Sequence, residues 1–410
     1  MEKKKENIGV YFKTLFLKNI RCFKGENSIN FSNNSNSFAQ WTVILGNNNT
    51  GKTTILKSLC LNDFLSSGNK AIDDKFAEEQ FNEFNKLDYA IVLECINETL
   101  IVSSEGRMSV WDPDFLIKES NSRELKKGEK YLSLDAYGIN RKPSPITLSE
   151  SQHQSSTATL YDGDLIDTEE WLLQLDYAQK NGRKDANRKL DKIKEILTSS
   201  LLPDIQDFRF VTNDELKSFV EFQTDYGWVR LKDLGYGYQS TMAWVMDLAK
   251  RLFDRYPDSE NPLAEPAVVL VDEIDLHLHP EWQRKIIGYL SNIFKKTQFI
   301  VTAHSPLLVQ SAEEVNLVML EKDGDRISIR QEFDTFQGWT VDEILTELMG
   351  LKEKTLSDTY LKWMKQFDEA LDEENAEKAN EAYEALDKIL HPTSSQRKLM
   401  RIQMSSLVSA

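Results

Sequence analysis

One eight-residue segment, Gly46-Asn-Asn-Asn-Thr-Gly-Lys-Thr53, constrains the fold of this chain more than any other feature. It has the G-x-x-x-x-G-K-[ST] spacing of a phosphate-binding loop, which needs a strand before it and a helix after it. Both are present: Trp41-Thr-Val-Ile-Leu45 reads as a strand, and Thr54-Ile-Leu-Lys-Ser-Leu59 reads as the start of a helix. Gly46 and Gly51 let backbone N–H groups curl around an anion with no Cβ in the way. The helix N-terminus adds partial positive charge at the same place. Lys52 is then positioned to reach the β- and γ-phosphates of a nucleotide, and the Thr53 hydroxyl to ligate Mg²⁺. Asn47, Asn48, Asn49, Thr50 and Thr54 complete the expected nucleotide-binding set.

Further along, Ala267-Val-Val-Leu-Val271 is a short apolar, β-branched run, the mark of a strand buried on both faces. Asp272 and Glu273 follow it. Downstream of a phosphate loop, an acid pair at a strand end has a specific reading. Asp272 would hold the Mg²⁺ hydration shell, and Glu273 would orient or deprotonate the attacking water. A second buried strand, Gln298-Phe-Ile-Val-Thr302, leads to His304, whose imidazole can donate to a γ-phosphate. His277 and His279 form a His-x-His pair without further ligand spacing, so local packing and hydrogen bonding is the favoured reading. Asp323-Gly-Asp325 resembles a paired-acid nuclease motif, but Asp-Gly between two strands is ordinary hairpin-turn chemistry.

The chain has 410 residues, enough for two or three domains' worth of core. Its 40% hydrophobic and 28% charged content is that of a globular protein. No apolar stretch approaches membrane-spanning length, and the first residues, Met-Glu-Lys-Lys-Lys-Glu, lack the apolar core of a signal peptide. Cys22, Cys60 and Cys95 show no metal spacing and read as reduced thiols in a cytoplasmic protein. The net charge of −16 argues against tight binding of nucleic acid by bulk electrostatics. Any DNA contact must come from a partner or a local patch. The basic stretch Lys180 to Lys194 is the one candidate, with a solvated helix face as its favoured reading.

The pattern of periodicity predicts two strands within Tyr11 to Phe31, and a helix then a strand (Tyr89 to Ile96) within Gly68 to Leu100. Ser103 to Glu150 reads as irregular, with strand pieces at Met108–Trp111 and Leu132–Leu134. Gln152 to Thr159 reads as a polar loop. One helical stretch is expected over Thr168 to Leu202, strands over Arg209 to Leu231, and helices over Gln239 to Tyr256 and Glu281 to Phe294. A hairpin is expected over Asn316 to Arg330, turning at Asp323-Gly324. The last seventy residues read as charged helices: Val341 to Leu348, a pair over Ser357–Leu371 and Glu377–Leu390, and a basic tail at Ser395–Leu407.

In their order, these motifs resemble the RecF/SMC-like branch of ABC ATPases, and within it the bacterial defence ATPases related to the OLD family. The opening Leu15-Phe-Leu-Lys-Asn-Ile-Arg-Cys-Phe23 is similar to that branch's start. Ala136-Tyr-Gly-Ile-Asn-Arg141, Trp171-Leu-Leu, Tyr238-Gln-Ser-Thr241 and Gly338-Trp-Thr-Val-Asp-Glu-Ile-Leu345 are most similar to ATPase subunits of the Septu antiphage system and its retron-associated relatives.

The resemblance implies an α/β fold, an ABC-type P-loop NTPase head with a mixed β-sheet. The head would be formed by 1–65 and 206–335, with an insertion or lid at 66–205 and a helical C-terminal appendix for partner binding at 336–410. It implies ATP hydrolysis with Mg²⁺ between two heads of a homodimer, higher oligomers remaining open. Glu273 and His304 would be catalytic and Asp275 would sit in the dimer loop. Leu231 to Ser240 occupies the position of a signature loop acting in trans. Gly235 stands there where a serine is usual, Gly237 keeps the glycine, and Gln239 opens the helix. The resemblance also implies a separate HNH endonuclease partner. The alternatives are a RecF-like DNA-repair ATPase and a sister defence system with a Toprim nuclease partner. The adenine contact and the glutamine loop have no motif of their own; Arg21, Phe23 and Arg141 are candidates.

Overall fold

The computed structural model describes residues 9–35, 37–60, 90–96, 132–141, 160, 164–198, 202, 204–351 and 356–408. Its centre is a six-stranded mixed sheet. Strand β3 (Trp41–Gly46) lies between β10 (Thr297–Thr302) and β11 (Val315–Asp323), and β9 (Ala267–Val271) and β5 (Leu134–Tyr137) continue beyond β10. These five run parallel, while β12 (Arg326–Asp334) pairs antiparallel at the β11 edge. All five residues of β9 and all six of β10 are buried, which explains why β9 reads as a continuous apolar run and β10 has an apolar Phe-Ile-Val centre rather than an alternating pattern.

A second, antiparallel sheet has the order β2-β1-β4, from Tyr11–Ile20 (β1), Phe23–Asn30 (β2) and Ala90–Ile96 (β4). Residues of both sheets share one core, with Phe12, Leu15, Phe23 and Ile29 packed with Ile44, Leu270, Ile300 and Val318. Burial of each such side chain contributes about 1.5–3 kcal/mol, an upper bound because unfolded chains already bury some of it. The third sheet joins β6 (Asp207–Thr212), β7 (Ser218–Thr224) and β8 (Gly227–Arg230) in an antiparallel meander.

Helix α1 (Lys52–Leu59) follows the phosphate loop. The stretch expected as one helix from Thr168 is two: α2 (Thr168–Lys180) and α3 (Lys184–Thr198). The break is at Gly182, whose φ of 78° takes the left-handed turn that ends a helix. Helix α4 (Tyr236–Arg255) begins three residues earlier than its apolar periodicity indicates. The helix expected from Glu281 is also interrupted. A turn at Pro280–Gln283 tightens as the Lys285 amide bonds back to Trp282 (2.9 Å), and α5 (Ile286–Ile293) follows. The Asp323-Gly324 hairpin forms as expected, with Asp323 paired to Arg326 and Gly324 at φ 64°.

Strands β4 and β5 both fall within 66–205 and are built into the two main sheets, so that segment is not wholly an insertion on the head. The predicted helix after Gly68, the Met108–Trp111 strand and the Gln152–Thr159 loop lie outside the described residues.

The chain divides into two units, Met1–Ile344 and Leu345–Ala410, a boundary nine residues beyond the expected start of the appendix. The second unit has its own small core, with Phe367, Ala370, Ala379, Ala382, Leu386 and Met400 buried among α6 (Asp358–Asp372), α7 (Ala376–Ile389) and α8 (Ser395–Val408). The basic tail expected at the end is thus helix α8.

Candidate functional site

The C-terminal ends of β3, β10, β9 and β5 meet at one edge of the central sheet. They place the phosphate loop and the acid pair on one cleft of about 720 Å³. The cleft is lined by Asn48 to Thr54, by Asp272 and Glu273, and by Arg21 and Cys22 from the β1–β2 turn.

The loop turns left-handed at Asn49 (φ 65°) and Gly51 (φ 93°). A Cβ on Gly51 would lie 2.6 Å from Cys22 Sγ and 2.7 Å from the Phe23 ring, so both conformation and space require glycine there. The Thr50 hydroxyl closes the loop by donating to the Asn47 carbonyl (2.8 Å). Lys52 Nζ donates to the carbonyls of Gly46 (2.7 Å) and Asn47 (3.1 Å). Burial lowers the Lys52 pKa, while Glu273, Asp272 and Asp275 pull it back up.

Thr53 and Asp272, 219 residues apart, are in contact: Thr53 Oγ1 donates to Asp272 Oδ2 at 2.8 Å. The other Asp272 oxygen accepts from Thr302 Oγ1 (2.6 Å). A hydroxyl and a carboxylate side by side are hard oxygen donors, the set that suits Mg²⁺. Glu273 is partly exposed toward the cleft and has a φ of 49°, a conformation that costs a non-glycine residue about 1–2 kcal/mol. Its amide donates to Thr302 Oγ1 (2.7 Å), and the Ile274 amide to the Thr302 carbonyl (3.0 Å). On the carbonyl side, a nitrogen of the buried Arg141 guanidinium donates to the backbone oxygens of Asp272 (2.5 Å) and Glu273 (2.8 Å). Arg141 Nε donates to Gly138 (3.1 Å). Burial brings the Arg141 pKa down to about 10, opposed by the attraction of Asp272, Asp275 and Glu273.

His304 Nε2 lies 3.9 Å from Glu273 Oε1, and its amide donates to Asp275 Oδ2 (2.9 Å). Asp275 is thereby engaged inside the head, linking the residue expected in the dimer loop to the strand-end histidine. His279 caps the following turn, accepting at Nδ1 from the Glu281 amide (3.4 Å), while His277 meets the Tyr236 ring edge-on. Both histidines thus have the local packing and hydrogen-bonding roles read for them.

The expected signature residues are not among those lining the cleft. Gly235 is exposed at the N-cap of α4, and Gly237 packs on the acid-turn loop, where a Cβ would come 2.4 Å from the His277 carbonyl oxygen. The Gln239 side chain is turned inward and donates to the carbonyls of Leu234 (2.7 Å) and Lys232 (3.2 Å).

Of the three candidates for the adenine contact or the glutamine loop, Arg21 lines the cleft. Phe23 is fully buried beneath Gly51, and Arg141 is committed to backbone carbonyls.

Two groups that shape the site have no motif: Thr302 and Arg141. A Thr ending a buried strand just before Ala-His is a weak signal for the first. The second ends the Ala136–Arg141 segment that carries the family resemblance, but nothing in that segment indicates its hold on the acid turn. Strand β5, which leads to Arg141, is itself tied to α4. Arg255 donates to both oxygens of buried Asp135 (2.6 and 2.7 Å), and Asp247 accepts from Arg251 (2.6 Å) and the Tyr137 hydroxyl (3.0 Å). Burial beside those carboxylates holds the Tyr137 phenol well above its usual range.

Four residues of the basic stretch are ion-paired: Lys180 with Asp176, Lys189 with Asp254, Lys192 with Glu195 and Lys194 with Asp207. Arg188 donates to the Pro257 and Ser259 carbonyls. At the hairpin, Asp325 pairs with Lys24 and Asp323 with Arg326. No described helix is long and apolar enough to cross a membrane.

Fold and site together define an α/β P-loop nucleotide-hydrolase head. The chain belongs to the family described as "AAA domain, putative AbiEii toxin, Type IV TA system", whose model matches residues 41–310. It is 39% identical over 188 residues to the Septu protein PtuA of Bacillus thuringiensis, a match covering 44% of this chain and 47% of that protein. It is 27% identical over 349 residues to the Septu protein PtuA of Bacillus mycoides (strain KBAB4), covering 82% of this chain and 45% of that one. The chain thus spans about half the length of these relatives. Among solved structures, an SMC head bound to the C-winged helix domain of ScpA matches with a TM-score of 0.43 and 17% identity, over 79% of this chain and 98% of that one.

Proposed function

We propose that this chain is the ATP-binding and hydrolysing regulatory subunit of an antiphage defence complex, controlling a separate HNH nuclease. The observation that carries the ATPase reading is the contact between Thr53 and Asp272, with Lys52 and Glu273 on the same cleft. Loop amides and Lys52 would hold the β- and γ-phosphates. Thr53 and Asp272 would hold Mg²⁺, which when bound supplies charge neutralisation for the transferred phosphoryl group. Glu273 would orient and deprotonate the attacking water, and His304 would donate to the γ-phosphate. The similarity to Septu PtuA supports the defence assignment.

In this reading two heads close on ATP, with the Gly235–Gln239 loop of one copy facing the nucleotide of the other and Asp275 at the seam. ATP shifts the equilibrium because it binds the closed state better than the open one. The nuclease partner would be held by the helical unit after residue 344. The net charge of −16, with Lys189, Lys192 and Lys194 of α3 each paired to an acid, favours a regulator over an ATPase that grips DNA itself.

The test is Glu273→Gln. Removal of a general base lowers turnover by roughly 10²–10⁴-fold. The variant should still bind ATP by calorimetry and should show a dimer-sized mass by light scattering when ATP is added. Unchanged phosphate release would remove Glu273 from the chemistry. An ATP-bound monomer would remove the two-head arrangement.

A further inference from the structure

We propose that Arg141 is the positioning residue that sets the backbone of the hydrolytic acid turn, and through it the aim of Glu273. The inference rests on Glu273 being the hydrolytic residue.

The turn at Asp272-Glu273 is an unusual piece of chain. Its second residue is a glutamate at φ 49°, a conformation that must be held by its surroundings. Its amide side is held by Thr302, through the hydroxyl to Glu273 N and the carbonyl to Ile274 N. The two carbonyls of the turn converge on one guanidinium nitrogen of Arg141, at 2.5 and 2.8 Å. The guanidinium is fixed by its Nε bond to Gly138 and is only 4% exposed. A planar fork buried in this way is rigid, and an ammonium on a flexible stem cannot copy it.

The position of Arg141 in the fold gives this contact a further consequence. It lies four residues beyond β5, whose Asp135 and Tyr137 are bonded to Arg255 and, through Asp247, to Arg251 on α4. At the other end of α4, Tyr236 packs edge-on against His277 and Gly237 sits under the His277 carbonyl. The acid turn is therefore clamped between α4 and the strand that α4 holds. A shift of α4 reaches the Glu273 carbonyl through Arg141, which bonds to the turn's carbonyls and not to the phosphate loop.

Steady-state ATPase kinetics and ATP calorimetry on Arg141→Lys and Arg141→Ala, alone and combined with Glu273→Gln, test this. The expected result is a kcat about tenfold lower for Arg141→Lys and about 100-fold lower for Arg141→Ala, with the ATP dissociation constant within threefold of the parent, because the bonds of Thr50 and Lys52 that close the phosphate loop do not involve Arg141. Residues acting as a unit are not additive, so Arg141→Ala should cost less than twofold more in the Glu273→Gln background. A full, additive loss in the double variant would overturn the proposal, as would parent-level kcat in Arg141→Lys. Loss of ATP affinity in step with kcat would also overturn it. If Arg141→Ala does not fold, Arg141→Lys and its double variant carry the test. If Glu273→Gln itself turns over normally, the hydrolytic assignment fails first. If Glu273→Gln is inactive while Arg141→Lys is fully active, only the positioning role fails.

Discussion

On one wall of the cleft the backbone turns left-handed at Asn49 and Gly51; on the other it does so at Glu273, and again at His277 in the loop that follows. The first wall closes largely on itself, with outside contacts at Cys22, Phe23 and Asp272. Thr50 bonds to Asn47, and Lys52 bonds to Gly46 and Asn47, so the loop closes within eight residues. The second wall is held by distant parts of the chain. Thr302 lies 29 residues away from Glu273, Arg141 lies 132 residues before it, and the His277 carbonyl packs against Gly237. The difference teaches that binding and hydrolysis draw mainly on different supports, joined where Thr53 bonds to Asp272. A self-closed loop can keep its shape while the other wall moves. A turn clamped from three directions responds to each of them.

Substitutions can break this contrast or sharpen it. The largest effect belongs to Gly51→Ala. It combines a left-handed cost of about 1–2 kcal/mol with overpacking against Cys22 and Phe23 of about 1–3 kcal/mol. Thermal and denaturant unfolding should both register a loss of roughly 2–5 kcal/mol by adding those terms. A fully stable variant would mean that the loop is not locally constrained.

Lys52→Ala comes next. A charge-assisted hydrogen bond contributes about 1.5–3 kcal/mol, so ATP affinity should fall by roughly 10–100-fold in calorimetry with little change in melting temperature. Retained affinity would refute the assignment of the loop.

Gly237→Ala probes the far wall. Its new methyl meets the His277 carbonyl, and such overpacking costs about 1–3 kcal/mol. Hydrolysis should suffer more than ATP affinity; equal losses in both would erase the distinction between the walls.

Thr302→Val is the finest probe. It removes the hydroxyl shared by Asp272 and Glu273 N and leaves that amide short of a partner, at about 1–2 kcal/mol. We expect a kcat roughly tenfold lower, measured by phosphate release, on the scale of 1.4 kcal/mol per tenfold. Undiminished turnover would show that the acid turn stands without its amide-side clamp.

Much of this architecture is written along the chain. The residues of β9 and β10 are buried on both faces, so β9 appears as an unbroken apolar run and β10 as an apolar Phe-Ile-Val centre without alternation. The hairpin at Gly324 announces itself because its turn demands a left-handed residue. Helix breaks leave a weaker mark. Gly182 interrupts a helical period that continues on both sides of it, and periodicity does not register a single turn. The inclusion of β4 and β5 in the main sheets is invisible locally, because strand partners are chosen across long intervals of sequence.

The sequence by itself determined the phosphate loop, the acid pair after β9 and the histidine after β10. Each works through contiguous backbone groups or through the end of a strand, so spacing alone encodes it. Only the tertiary structure decided that Thr53 touches Asp272 and that Thr302 and Arg141 grip the turn carrying Glu273. The physical reason is the parallel order β3, β10, β9, β5. It lays the C-terminal ends of four strands side by side, bringing together residues that the chain keeps far apart.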